Sequence, residues 1–400
     1  MAQQNDPVFA DWPPFYPFLI AAVKQALSVE YVSAARLINV ILSALIVGLS
    51  AILIKLYSGS AKLAATGAIA TAVYFPVFNV ALWALSELLF IFLSLCLLVA
   101  ISFYTQRPSL RRLIIAALIT ALLCLTRYTG TAVVGIVVLF LAIFHWRRRD
   151  ALPRTALSVA LYVALALLPL GLWVARNFAL TGTLFGFRPP ALATLELSLA
   201  QTVGTLAGWL LTLYGYQNVL LAAILILLLT AIAALARTYW RAFRRKLAAQ
   251  PEGLLLVLLF SALYIAFMVV SSVATAFDPL DTRLLSPSAV PLLIFILCCG
   301  FVLFKASTQR RKRSALIFLG VAALWIALNA LSVVRETELV RIAGIGFSSK
   351  EWRRSALVSH LKDKPLPEDI PIHTNRQLLL RYFLGLDSLR VPIRTYYNSS

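Results

Sequence analysis

Apolar positions in this chain come in long blocks. They do not alternate as in a half-buried strand, nor form the narrow stripe of a soluble surface helix. Crossing a bilayer takes roughly 20 apolar residues, fewer where a helix is partial or tilted. Blocks of that kind lie near 37–57, 61–81, 84–104, 113–126, 128–146, 155–176, 219–236, 253–272, 289–305 and 314–334, with 113–126 the short member. The segment 16–28 (PFLIAAVKQALSV) is amphipathic and too short to span, which suits a helix lying in the interface. The segment 192–216 mixes apolar and polar residues and reads as a re-entrant or interfacial helix. The pattern predicts an all-α polytopic membrane protein with about 10 transmembrane helices.

Composition agrees. The 400 residues are 61% hydrophobic and 13% charged, with mean hydropathy +0.88, more apolar surface than a soluble core absorbs. A net charge of +20 would suggest nucleic acid as the partner of a soluble protein. Here the basic residues sit in short loops between apolar blocks, so the expected partner is the lipid bilayer and not nucleic acid. The loops with Lys55 and Lys62, Arg107/Arg111/Arg112, Arg147/Arg148/Arg149/Arg154, Arg237/Arg241/Arg244/Arg245/Lys246 and Lys305/Arg310/Arg311/Lys312/Arg313 alternate with acid-richer ones. The positive-inside rule makes the basic loops cytoplasmic and puts residues 335–400 outside. The expected place is therefore the cytoplasmic (inner or plasma) membrane, with the C-terminus on the extracytoplasmic side.

Two parts follow: a transmembrane domain over 1–334, opening with an outer-face loop and interfacial helix over 1–36, and an outer segment over 335–400. The second part is mixed in charge, contains KPLPEDIP, and reads as a small α/β or α+β piece, short for an independent domain. Cys96, Cys124, Cys298 and Cys299 lie in apolar runs without metal spacing, so packing is the reading for them. His145, His360 and His373 are scattered, and Met1 to Pro17 lacks the apolar core of a signal peptide. There is no Gly-rich phosphate loop, zinc spacing or Ser/His/Asp set, and so nothing to support a cytoplasmic nucleotide-sugar site.

Charges inside or at the ends of spans are costly, and these fall at the end away from the basic loops. They are Arg36 (SAARLINV), Glu87 (LWALSELLF), Arg127 (LCLTRYTGTA), Arg176 (LWVARNFALTG) with Arg188 near it, and Asp278, Asp281 and Arg283 (FDPLDTRLLSP). Several arginines at headgroup depth suit a phosphate or pyrophosphate, which a guanidinium holds bidentately. One or two carboxylates in a partly dry site suit a general base or a divalent cation. Plain alternatives stand beside each. Arg36, Arg176 and Arg283 also suit snorkelling to the interface. Glu87 and Arg127 also suit a structural ion pair, and Asp278 and Asp281 ordinary solvated acids. Trp12-Pro13-Pro14-Phe15-Tyr16-Pro17 forms a stiff aromatic entry to the helix after it, or a wall of the outer site. Tyr74-Phe75-Pro76 breaks or kinks the second span.

In order along the chain, DWPPFYPFLIA, SAARLINVILSALIV, YFPVFNVALWALSELLFIFLSLCLLVA, LTRYTGTAVVG, WVARNFALTGTLFG and DTRLLSPSAVPLL resemble the bacterial GT-C glycosyltransferases. These are the membrane enzymes related to protein mannosyltransferases and aminoarabinose transferases. The likeness covers residues 11 to about 300, and the tail from GFSSKEWRR resembles the family's outer C-terminal segment. It implies a polyprenyl-phosphate-linked sugar as donor, used at the outer face with inversion at the anomeric carbon, and an acceptor that stays unknown. Carried over, Glu87 takes the acidic position of the third-span motif, Arg36 the Arg of the AARL motif, Arg127 the basic position after the fifth-segment helix and Arg283 the basic position of the motif before the late Pro. With Arg176 they become the expected phosphate-binding set, and Trp12, Tyr16 and Tyr128 the sugar or acceptor wall. The family pattern also carries an earlier helix and a catalytic acid in the loop after it. This chain starts late in that loop, where Asp6 and Asp11 are its remaining acids. A shortened chain, or an inactive one, is expected on that ground. No cofactor is implied beyond a possible divalent cation, Mg or Mn. Rival readings are an O-antigen polymerase or ligase, which also keeps outer-face arginines, and a transporter or flippase, which would place polar groups near the midplane and show repeats.

Overall fold

The computed structural model describes residues 12–186, 191, 193–211, scattered positions between 226 and 245, 251–276, 278–306, 311–346, 349–364, 372–374, 377–386 and 389–390. The expected span 219–236, along with Asp6, Asp11 and Arg188, lies outside the continuously described residues.

Helix dominates. In chain order the elements are α1 (Phe15–Leu27), α2 (Tyr31–Ser58), α3 (Ala61–Ala72), α4 (Phe75–Ala81), α5 (Glu87–Gln106), α6 (Leu110–Thr126), α7 (Gly130–Arg147), α8 (Leu152–Thr181) and α9 (Leu195–Leu211). Then come α10 (Glu252–Ala274), the short α11 (Thr282–Leu285) running into a 3-10 turn, α12 (Ala289–Ala306) and α13 (Arg311–Ala343). Among the described residues, 7 helices are long and apolar enough to cross a membrane, or 8 if the bent pair α3–α4 is one span. This is an all-α polytopic membrane protein.

The outer faces support that. In α8 only 17% of the most apolar stretch is buried, and Leu157, Leu168 and Leu172 stand exposed. Water would penalise such a surface; hydrocarbon does not. In lipid, helices associate by close packing and interhelical hydrogen bonds. Ala116 and Ala117 let α6 approach its neighbours, and Thr120 Oγ1 lies 2.8 Å from Tyr162 Oη of α8.

The second span is broken, as Tyr74-Phe75-Pro76 predicts: α3 and α4 meet at 46°. Pro76 cannot donate, and the break frees the Phe75 N–H, which donates to Asn329 Oδ1 of α13 at 3.1 Å. The last carbonyls of α4 are orphaned in turn. Asn39 of α2 donates its amide to Ala81 O at 3.0 Å and Trp83 O at 2.8 Å. That pins the corner 82–86, so α5 starts at Glu87, three residues later than the apolar block suggests. The helix α2 starts at Tyr31, ahead of its block at 37, and α13 runs unbroken through 335 to Ala343, because VRETELVRIA continues a helix beyond the apolar stretch. After Gly344 the chain passes Trp83: a Cβ on Gly346 would lie 3.4 Å from its ring.

The following piece holds two short helices, Lys350–Arg353 and Ala356–Asp363, then a parallel pair of two-residue strands joined through the helix Gln377–Leu384. Val358, Leu379 and Leu380 form its small core.

At the opposite, basic end, His145 closes α7. Its Nδ1 meets Asp150 Oδ2 at 2.7 Å and its Nε2 meets Tyr104 Oη at 3.1 Å. The hydrogen bond from His145, reinforced by the charges of His145, Arg148 and Arg154, holds the Asp150 carboxyl below the ordinary aspartate range. A depressed folded pKa gives stability that is present above the unfolded aspartate value and lost as pH falls through the folded one. Thermal melts of the purified protein from pH 7 to pH 3 are expected to show that acid-side loss, and Asp150→Asn is expected to flatten it.

Candidate functional site

Chain direction brings the other end together. There α2 begins, α4 turns into α5, α6 turns into α7, α8 ends, and α10 leads into α11. Glu87 opens α5 and is 1% exposed. A carboxylate in a helix's first turn meets the positive end of the helix dipole, which offsets part of its burial cost. Ser86, at the N-cap, makes no side-chain cap; its Oγ accepts instead from Arg127 Nη1 at 3.3 Å.

Arg127 is the C-cap of α6, with extended backbone, and its Nη1 lies 2.6 Å from Glu87 Oε1. The turn after it is tight: Gly130 N–H donates to Arg127 O at 2.8 Å, and a Cβ on Gly130 would stand 2.6 Å from Cys124 N. Only glycine lets α7 begin so close to α6.

Arg283 approaches Glu87 from the third direction, its Nη1 3.9 Å from the same Oε1, and it is ion-paired through Nη2 to Asp278. Its position is fixed locally. Asp281 caps α11 by accepting from Arg283 N–H and Leu284 N–H, so this acid is a helix cap. From α9, Gln201 accepts from Leu280 N–H, Thr205 donates to Leu280 O and Trp209 donates to Thr282 Oγ1. Helix α9, inside the segment expected at 192–216, thus braces the loop carrying Asp278 and Arg283.

The four charges form a graded row. Side-chain exposure rises from 2% at Glu87 through 13% at Arg127 and 27% at Arg283 to 39% at Asp278. Tyr264 of α10, fully buried, faces the row with its hydroxyl 3.5 Å from Thr129 Oγ1. Tyr16 of α1 is buried within electrostatic reach of Glu87, which, after burial itself, holds its phenol protonated well above the ordinary tyrosine range.

Other expected residues stand elsewhere on the same end. Arg36 is exposed on the second turn of α2, whose inward face is Ala34, Ala35, Ile38 and Asn39. Arg176 is exposed over the Trp173 ring at 4.7 Å and bonds Asn177 Oδ1. Among the described residues neither is ion-paired. Tyr128 is half-buried; its hydroxyl accepts from Trp173 Nε1 at 3.2 Å and Asn177 Nδ2 at 3.3 Å, and its ring stands edge-on to Phe185. Trp12 is largely exposed. Sequence reasoning missed Asn39, Ser86, Thr129 and Asn177. For Asn39 the signal was available: an amide one turn beyond Ala35 on an otherwise apolar helix face.

The described carboxylates of the row are already partnered. Glu87 and Asp278 are each answered by an arginine, and no group of three or more His, Cys, Asp or Glu stands together among them.

The fold is one already seen in a solved membrane protein. ArnT from Cupriavidus metallidurans, in its apo state, is similar over 96% of this chain and 76% of its own, with a TM-score of 0.57 and 15% identity. No protein-family model matches the chain, and no curated protein matches it.

Two outcomes test the site's construction. Breaking a buried pair by removing one partner leaves an uncompensated charge and costs about 3–5 kcal/mol, whereas removing both costs less. Arg127→Met is therefore expected to lower stability more than Glu87→Gln/Arg127→Met together, measured by unfolding in one detergent. Gly130→Ala is expected to lower the melting temperature sharply and to disturb Arg127, because the clash is with backbone.

Proposed function

We propose that this chain is a membrane glycosyltransferase of the GT-C type, moving a sugar from a polyprenyl-phosphate-linked donor to a lipid, glycan or protein acceptor. The observation that carries the reading is the row Glu87–Arg127–Arg283–Asp278, graded from dry to wet at one end of a GT-C-like bundle. The basic loops lie at the other end, and the positive-inside rule then assigns the row to the outer face of the cytoplasmic membrane.

The chemistry suits that row. An acceptor hydroxyl attacks the anomeric carbon from the face opposite the phosphate, the bond from that carbon to the phosphate oxygen breaks, and the electron pair leaves with the polyprenyl phosphate. The donor phosphodiester carries one negative charge and the leaving phosphate gains another. Arg283, with Arg127 behind it, supplies fixed positive charge where that charge develops. Asp278, the more exposed of the row's two carboxylates, is the group a phosphate would displace from Arg283. Arg36 and Arg176 on the rim would meet the lipid headgroup as it arrives, and Trp12 and Tyr128 would flank the sugar. A base must take the acceptor proton; Asp6 and Asp11 are this chain's candidates, while Glu87 holds Arg127 in place.

Membranes containing the protein, supplied with labelled polyprenyl-phosphate sugar, test the reading. Arg283→Gln and Arg127→Ala are expected to cut transfer by roughly 10²–10³, the cost of one lost charge-stabilising donor. Full transfer by both Glu87→Gln and Arg127→Ala would sink the assignment of roles. A block of sugars in the product would favour a polymerase or ligase, and uptake into vesicles a transporter.

A further inference from the structure

Buried polar atoms in a folded protein almost always have a partner, and an orphan is destabilising unless something fills it. Among the described residues the buried side-chain atoms without a partner are Tyr16 Oη, Asn39 Oδ1 and Glu87 Oε2. All belong to one corner: α1 packs on α2, and α2 packs on both α4 and α5. Asn39 is bonded to the corner that leads into Glu87, and Tyr16 lies within Glu87's electrostatic reach. The three residues are 5%, 3% and 1% exposed.

The orientation of Asn39 is fixed. Its amide nitrogen faces the carbonyls of Ala81 and Trp83, which can only accept, so the oxygen is the free atom. Glu87 Oε2 is free because Arg127 and Arg283 both address Oε1. The free set is then two pure acceptors and one phenol that donates or accepts. A phosphate oxygen cannot serve it, since it brings no proton and would face a carboxylate. A cation is not called for either, because Arg127 already neutralises Glu87. Two acceptors need two donor hydrogens, which neighbouring hydroxyls of a sugar provide.

We infer that Tyr16, Asn39 and Glu87 form a hydroxyl-reading subsite for the sugar, while the arginines read the phosphate. The inference rests on the glycosyltransferase reading and divides its labour. Tyr16 and Asn39 are binding residues here, and the preference they confer is for polyhydroxyl head groups over bare phosphate.

The test is binding, without turnover. Full-length protein in nanodiscs is titrated with polyprenyl phosphate and with polyprenyl phosphate bearing one hexose, followed by tryptophan fluorescence. Wild type is expected to bind the hexose-bearing lipid about tenfold more tightly, the worth of about 1.4 kcal/mol. Tyr16→Phe, which keeps the ring, is expected to erase that difference and leave the bare lipid unchanged. Arg283→Gln is expected to weaken both. A second measurement needs no variant: inorganic phosphate should compete with both lipids, and free hexose only with the hexose-bearing one. The inference is overturned if wild type shows no preference, if hexose competes with both or neither, or if Tyr16→Phe shifts both lipids equally. Should wild type bind neither lipid, the glycosyltransferase reading fails, and the subsite with it.

Discussion

The ion pair between Glu87 and Arg127 is the constraint on which this end of the molecule depends. Taking a carboxylate and a guanidinium out of water costs several kcal/mol per ion, and their attraction offsets this only with good geometry and further hydrogen bonds. That requirement reaches far. Glu87 must open a helix, so the corner before it must turn at 82–86, and that corner is held by Asn39. Arg127 must sit where α6 ends, so the chain must reverse within three residues, which Gly130 alone permits. Arg283 must come within 3.9 Å, and α9 holds its loop to do so. One buried pair thus dictates a glycine, an amide and a brace on separate helices.

The same logic explains how the bundle is assembled. Apolar side chains do not select one arrangement over another when the surroundings are hydrocarbon, so specificity falls to close contacts and to the few polar groups inside. Asn329 reaches the freed N–H of Phe75, Asn177 reaches Tyr128, Thr120 meets Tyr162, and Ser198 meets Ser272. Each joins segments more than 40 residues apart in the chain. They act as register marks between helices that would otherwise slide.

Much of this was legible in the sequence because cost is visible there. A charge inside or at the end of a span needs a reason; that rule picked out Glu87, Arg127 and Arg283, which the fold brings together, and also Arg36 and Arg176, which stand exposed. The break at Tyr74-Phe75-Pro76 was legible because Pro removes a donor and clashes with the preceding turn. What escaped was of three kinds. Neutral hydroxyls such as those of Ser86 and Thr129 are cheap enough to occur anywhere near a span, so nothing marks those that join the site. Helix ends also drifted, because hydropathy reports contact with lipid and not hydrogen bonding: α13 leaves the apolar stretch and stays helical to Ala343. Asp281 shows a third limit, since an acid in a polar loop and an acid capping a four-residue helix have the same sequence signature.

Charge balance ties the architecture to the proposed chemistry. Two carboxylates and two guanidiniums sum to zero, so the row is electrically closed without a ligand. A site that kept two arginines bare beside hydrocarbon would be costly to hold. The row avoids that by giving each arginine a carboxylate of different depth. Glu87 is locked in and orders Arg127, while Asp278 sits at the wet edge on a loop and can leave Arg283 for solvent. An arriving phosphate would replace one anion with another, so the buried charge count stays level until the glycosidic bond breaks. In the proposed transfer, one negative charge would then move from the base to the leaving phosphate, beside an arginine already fixed by α9 and α11.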